Sequence, residues 1–209
     1  MARTISAKCK LCRREGEKLF LRGERCLSPK CAIVKRNFIP GVHGPTSRSK
    51  LTGYGVQLRE KQKAKKIYGL LERQFSNLVS KATKKRGDSG ANLLILLETR
   101  LDNVIYRSGF AKSRAEARQK VNHGHFAVNG RKLDIPSYAA RVGDQIGLRE
   151  KFSKSKLYED LADGLAKAEL PGWLYLDQKT SQVKIVSLPN VAEMKQSFDP
   201  RVIIEFYSR

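Results

Sequence analysis

Four cysteines stand in two pairs, Cys9-Lys-Leu-Cys12 and Cys26-Leu-Ser-Pro-Lys-Cys31. Each pair can offer two thiolates to one ion, and together they fit a tetrahedral four-cysteine zinc site. Four thiolates also suit an iron–sulfur cluster, and the spacing does not choose between the two. Two disulfides are the alternative, but they need an oxidising compartment, and no export signal is recognisable. Arg13, Arg14, Arg22, Arg25 and Lys30 surround the pairs, so their charge is expected to lower the thiol pKa values and offset a dianionic centre. A segment with so few large apolar residues needs such a staple.

The second chemistry is charge. The chain of 209 residues carries 42 Lys and Arg against 20 Asp and Glu, a formal net charge of +22. Self-repulsion of that size calls for a polyanionic partner, and nucleic acid is the expected one. There is no apolar run long enough to span a bilayer, no signal-peptide core and no helix with a broad Trp, Phe and Leu face, so no membrane partner is expected. The protein is expected to be soluble, unexported and cytoplasmic. No zinc-hydrolase pair, Walker loop, nucleophile elbow or dinucleotide fingerprint occurs, so no enzyme is expected.

The elements that must hold these charges follow from periodicity. Leu94, Leu97, Leu101, Val104 and Ile105 recur at helical spacing, predicting one helix that ends near Ser108 and Gly109. Ser113-Arg-Ala-Glu116 reads as a capping box opening a second helix, which Gly124 stops. Phe126 to Val128 and Arg131 to Leu133 flank Asn129-Gly130, a two-residue hairpin turn, and Gln145 to Leu148 reads as a further strand. Upstream, Val56 to Tyr68 is a helix with cations around much of its circumference, which predicts that protein alone does not bury it. A second helix carries Leu71, Phe75, Leu78, Val79 and Ala82 on one face and ends at Lys84-Lys85-Arg86-Gly87. The loop from Phe38 to Gly55 holds Arg48 and Lys50. Beyond Lys151 a helix with Leu157, Leu161 and Leu165 is expected, then strands at Trp173 to Leu176, Gln182 to Leu188 and Val202 to Tyr207.

The region from Arg100 to Gly130 resembles the small RNA-binding module named for the ribosomal protein four family of the small subunit. The pattern stands as Arg100-Leu101-Asp102, Asn103, Val104, Arg107, Gly109-Phe110, Ser113-Arg114, Ala117-Arg118, Val121, His123-Gly124 and Val128-Asn129-Gly130. Pro40-Gly41-Val42-His43-Gly44, Leu58-Arg59-Glu60-Lys61-Gln62-Lys63, Ile67-Tyr68-Gly69 and the ending Val202 to Arg209 carry the resemblance beyond the module. It implies an α+β fold: a helical body with C-terminal strands, an inserted module of two helices and a small antiparallel sheet, and a four-cysteine metal knuckle at the N-terminus. The expected parts are 1–44 for the knuckle, 45–98 completed by 173–209 for the body, and 99–172 for the module with its following helix.

The same resemblance implies a structural protein that binds a small-subunit ribosomal RNA junction, nucleates assembly of the particle's body, neighbours ribosomal proteins three and five, lies near the messenger path and affects translational accuracy. No homo-oligomer is expected in the particle. Expected RNA-binding residues are Arg100, Arg107, Lys112, Ser113, Arg114, Arg118, His123, Asn129, Arg131 and Lys132 in the module, with Arg59, Lys63 and Lys66 in the body. Arg48 and Lys50 are candidates for the messenger path, and Cys9, Cys12, Cys26 and Cys31 for zinc or a cluster. Lys151-Phe152-Ser153-Lys154-Ser155 resembles the signature loop of class I aminoacyl-tRNA synthetases, some of which carry the module, but no nucleotide-binding α/β domain precedes it. A free-standing RNA-binding regulator or rescue factor is the remaining alternative.

Overall fold

The computed structural model describes residues 6–46, 50–153, 155, 158, 165, 170–177, 180–194 and 196–208. Two compact units result, Met1–Leu94 with Lys195–Arg209, and Ile95–Met194.

The first unit begins with α1 (Lys8–Glu15), α2 (Glu24–Leu27) and α3 (Ala32–Lys35). Cys9 and Cys12 lie on α1, Cys26 on α2 and Cys31 just before α3, and the segment buries Leu19 but few other large side chains. The following turn shows why the Pro-Gly-x-His-Gly string needs its last glycine. Gly44 donates its N–H to the Gly41 carbonyl at 3.2 Å, and a Cβ on Gly44 would stand 1.8 Å from the Ile39 carbonyl oxygen. Then come α4 (Gly53–Ile67) and α5 (Glu72–Lys84). The Thr52 hydroxyl caps α4 by accepting from the Gly55 N–H at 3.2 Å, so the helix starts a turn earlier than its cationic run suggests.

The residues 202–207 form no strand. They belong to the last helix, α10 (Pro200–Ser208), where Pro200 supplies the preset φ of a first helical turn and the Asp199 carboxylate accepts from the Arg201 N–H at 2.8 Å. Helical spacing buries Ile203 and brings Phe206 within 5.5 Å of Tyr54 on α4 and Tyr207 within 6.2 Å of Phe75 on α5. The C-terminal segment thus packs on the early helices, as a helix.

The second unit contains α7 (Leu101–Arg107), α8 (Arg114–Asn122), β1 (Phe126–Val128), β2 (Arg131–Lys132), β3 (Gln145–Leu148), α9 (Glu150–Ser153), β4 (Leu174–Asp177) and β5 (Gln182–Ile185). The single helix expected from Leu94 to Ser108 is two: α6 (Ser89–Glu98) stops before α7 starts. Thr99 and Arg100 break it because extended Arg100, with ψ 138°, pairs with Ala139. Leu101 donates to the Tyr138 carbonyl at 2.9 Å, and Ala140 donates to that of Thr99 at 2.8 Å. Tertiary pairing overrides an unbroken apolar period here.

The strands pair antiparallel in the order β2-β1-β3-β5-β4. Asn129 and Gly130 take φ of +50° and +77°, the conformation the hairpin turn demands. β4 and β5 extend the module's own sheet through β5 against β3, so the body is completed by the segment from Lys195 rather than by 173–209. One face of the sheet joins α7 and α8 in a core containing Leu101, Val104, Phe110, Phe126, Ile146 and Val183. Of the helix expected on Leu157, Leu161 and Leu165, only Leu165 is among the described residues, and it is buried.

Candidate nucleic-acid interface

The cations that the family pattern selects are mostly held by carboxylates. Arg100 is 4 % exposed and clamps Asp102 with both arms, Nε to Oδ1 at 3.1 Å and an η nitrogen to Oδ2 at 2.8 Å. Arg118, 8 % exposed, reaches the same carboxylate at 3.3 Å. Arg107 grips Glu98 with two bonds of 3.0 and 2.9 Å, and Glu98, itself buried, also accepts from the Asn103 amide at 2.7 Å. Arg114 donates to the Asn103 amide oxygen at 2.7 Å and lies over the Tyr106 ring. Charge-assisted, bidentate pairs of this kind fix geometry as well as adding energy. Arg100 is therefore not a free RNA contact but a part of the scaffold, and Arg118 is largely so.

Other expected contacts also hold bonds within the protein. The Ser113 hydroxyl caps α8 by accepting from Glu116 N–H at 3.3 Å, but the Glu116 carboxylate accepts from the Lys112 N–H rather than from the cap residue's own. Asn129 bridges the turn: its amide donates to Asp144, and its oxygen accepts from the Gln145 N–H, each at 2.9 Å. In the body, Arg59 and Lys66 converge on the Glu15 carboxylate, whose side chain is 1 % exposed. Lys63 is buried among Glu17, Glu60 and the Ser197 carbonyl. Lys61 is buried too, against Glu72 and over the Phe206 ring. Protein alone does bury the inner side of this cationic helix, because glutamates and the aromatic rings of α10 meet it.

Lys112, His123, Arg131 and Lys132 are exposed, with Lys132 only 3.3 Å from the equally exposed Asp134, a pair worth little in water. Beside His123, the His125 ring stacks on Phe152 and its Nδ1 sits 2.8 Å from the Tyr158 hydroxyl; burial lowers its pKa, with His123 and Lys120 adding to the effect. Arg48 lies outside the described residues, and Lys50 is exposed.

The accessible cations that the spacing did not select lie elsewhere. Arg14, Arg22, Arg25, Lys30, Lys35 and Arg36 are exposed on the cysteine segment, and Arg73, Lys81, Lys84, Lys85 and Arg86 on and after α5. The missed scaffold residue, Glu98, had a signal: an acid ending the apolar run Leu93-Leu94-Ile95-Leu96-Leu97 must be buried and therefore paired.

Cys12, Cys26 and Cys31 are buried, Cys9 is half-buried, and all four are free thiols. Burial pushes the Cys12 thiol up, the other three cysteines push it the same way, and only a backbone hydrogen bond at Leu19 opposes them. The expectation that neighbouring cations depress it does not hold for Cys12. Arg13, the cation next to it, donates to the Phe38 carbonyl at 3.0 Å and covers the Phe38 ring instead. The Arg22 N–H points at the Cys26 sulfur at 3.3 Å. Among the described residues no three Cys, His, Asp or Glu side chains converge closely enough to grip an ion. The donor chemistry nonetheless fits a thiophilic metal: reduced thiols within electrostatic reach of one another, with a backbone N–H directed at sulfur.

Residues 3–98 match the family described as the ribosomal protein S4/S9 N-terminal domain, and residues 99–146 match the S4 domain. Small ribosomal subunit protein uS4A of Alkaliphilus metalliredigens is 52% identical over 209 residues, all of both chains. Small ribosomal subunit protein uS4 of Acetivibrio thermocellus is 50% identical, and that of Heliobacterium modesticaldum 49%, again over the whole of each chain. With identity at this level from end to end, the chain belongs to the small ribosomal subunit protein uS4 family.

Proposed function

We propose that this protein is a structural, non-catalytic component of the small subunit of the cytoplasmic ribosome that binds ribosomal RNA. The observation that carries the reading is the end-to-end identity with uS4 proteins; the net charge of +22 supports it. Buried ion pairs hold α7 and α8 in a fixed frame, and the exposed cations on the cysteine segment, on α5 and at Arg131 meet converging phosphates. Recognition is then by shape, with charges placed to match a junction rather than a base sequence. Binding early in assembly would nucleate the body of the particle. Lys50 and Arg48 would lie by the messenger path and affect accuracy, with ribosomal proteins three and five as neighbours.

Cys9, Cys12, Cys26 and Cys31 would hold zinc, or alternatively an iron–sulfur cluster. The ion would supply folding free energy, on the order of 10 kcal/mol in isolated small zinc domains. Elemental analysis of protein purified anaerobically under reducing conditions tests this, and absence of both zinc and iron with sulfide defeats it.

Co-sedimentation with small subunits followed by crosslinking to their RNA is the test of the whole reading. If about six phosphates are neutralised, log affinity falls against log salt with a slope of roughly −4 to −5. A flat salt response defeats the electrostatic mechanism.

A further inference from the structure

The sheet of the second unit has a face that its core does not use. Phe126, Ile146, Leu174, Val183 and Ile185 point into the core, so their alternates point away. Two cross-strand rows result. Tyr175 pairs with Lys184 and Lys184 with Gln145, while Asp177 pairs with Gln182, Gln182 with Gly147 and Gly147 with Ala127. Tyr175 is 61 % exposed, and Lys184, Gln145 and Gln182 are exposed. A groove of about 560 Å³ lies over the second row, floored by Ala127, Gly130 and Gly147 and walled by Gln145, Gln182, Arg149 and Lys151, with Glu150 the one carboxylate on its lining. The Gln182 chain lies across Gly147, where a Cβ would stand 2.9 Å from its Cγ.

We propose that this open sheet face is a second RNA-binding surface, separate from the helical one, that takes a short single-stranded segment. The proposal rests on the reading of the protein as an RNA-binding component of the ribosome. An exposed tyrosine offers a stacking plane that any base can use, the two glutamine amides can donate to and accept from base edges, and Lys184, Arg149 and Lys151 supply phosphate charge. The Gln182 side chain covers Gly147, so a base on this floor meets the glutamine amide before the backbone. A protein partner is the poorer match, since the centre of a protein interface is built from large apolar and aromatic anchors, and here Tyr175 and, past the end of β5, Val186 stand among amides and cations. Sheet platforms of this kind take about two or three bases.

The test uses the full chain and a fluorescently labelled oligouridylate of about ten nucleotides, followed by anisotropy at low salt, alongside the ribosomal RNA junction. Tyr175→Ala should weaken oligouridylate binding about fivefold or more, Tyr175→Phe should leave it within about twofold, and Lys184→Ala should weaken it and flatten its salt dependence. Crosslinks from 4-thiouridine in the oligonucleotide should fall on β4 or β5. The inference is overturned if wild-type protein does not bind the oligonucleotide, if Tyr175→Ala changes nothing, if Tyr175→Phe is as weak as Tyr175→Ala, or if a protein partner occupies the face. Loss of junction RNA binding by wild-type protein would defeat the broader reading; intact junction binding with inert Tyr175 variants defeats this inference alone.

Discussion

Two regions, the start of the module around α7 and α8 and the cysteine segment, use positive charge in opposite ways. Around α7 and α8 in the second unit, buried Arg100 and Arg118 share Asp102, and half-buried Arg107 grips Glu98. In the first unit the cysteine segment leaves Arg22, Arg25, Lys30, Lys35 and Arg36 in water. A guanidinium in a buried pair has given up its hydration and its freedom, so it stiffens the fold and contributes little new attraction to phosphate. A solvated cation near a phosphate releases counterions when it binds. The difference teaches that a count of basic residues overstates the RNA-facing charge and misplaces it.

The comparison is most severely tested at Asp102. Asp102→Ala strands Arg100 and takes a carboxylate from Arg118, and a broken buried pair costs roughly 3–5 kcal/mol, which chemical denaturation should register as early loss of the second unit. A change under about 1 kcal/mol would mean that these arginines find water or each other tolerable and that the inward reading is wrong.

The opposite sign is expected on the cysteine segment. Replacing Arg22, Arg25 and Lys30 by Ala should leave thermal unfolding of the second unit in place but weaken ribosomal RNA binding, reducing the salt slope by about 0.7 to 0.9 for each phosphate no longer neutralised. Unchanged affinity would remove this segment from the interface.

Within the module a smaller contrast separates Arg118 from Arg131. Arg118→Ala should cost stability, because Asp102 loses one of two partners, whereas exposed Arg131→Ala should lie within about ±0.5 kcal/mol and act on affinity alone. Equal melting temperatures for the two variants would erase the distinction.

The least effect is expected at Glu72. Partial burial raises its pKa, but hydrogen bonds from Lys61, Lys65 and Tyr207 overcome that and bring it from 4.5 to about 2. Its ionised form is therefore favoured in the folded state. The stabilisation is fully present above the unfolded value near 4.5 and is lost as pH falls through about 2. Because the side chain is 48 % exposed, the amount is below about 1 kcal/mol. Glu72→Gln should flatten the acid limb of stability by that much, and an unaltered limb would show the pair to be inert.

Much of this arrangement was legible in the residues, for reasons that differ by element. The hairpin was readable because Asn129-Gly130 tolerates the positive φ that both positions adopt. The start of α8 was readable from Ser113, although Glu116 returns its bond to Lys112. Val202-Ile203-Ile204 misled because a run of β-branched residues looks like a strand wherever its packing partner is unknown. Asp199-Pro200 was the contrary signal, a cap followed by the residue best suited to a first turn. The break between α6 and α7 left no local mark, since it depends on pairing with residues near Ala139. Among the expected contacts, the exposed Arg131 and the buried Arg100 have the same chemical type, and only the position of an acid in space tells them apart.

The Asp102 clamp has a bearing on how such a module diversifies. Arg100, Asp102 and Asn103 of the RLDN string, and Arg107 one turn on, are engaged with one another or with Glu98. A sequence search keyed to that string thus detects a chassis and says little about the cargo. The positions that face solvent in this module, Lys112, Arg131 and Arg141 among them, can be changed without touching that frame.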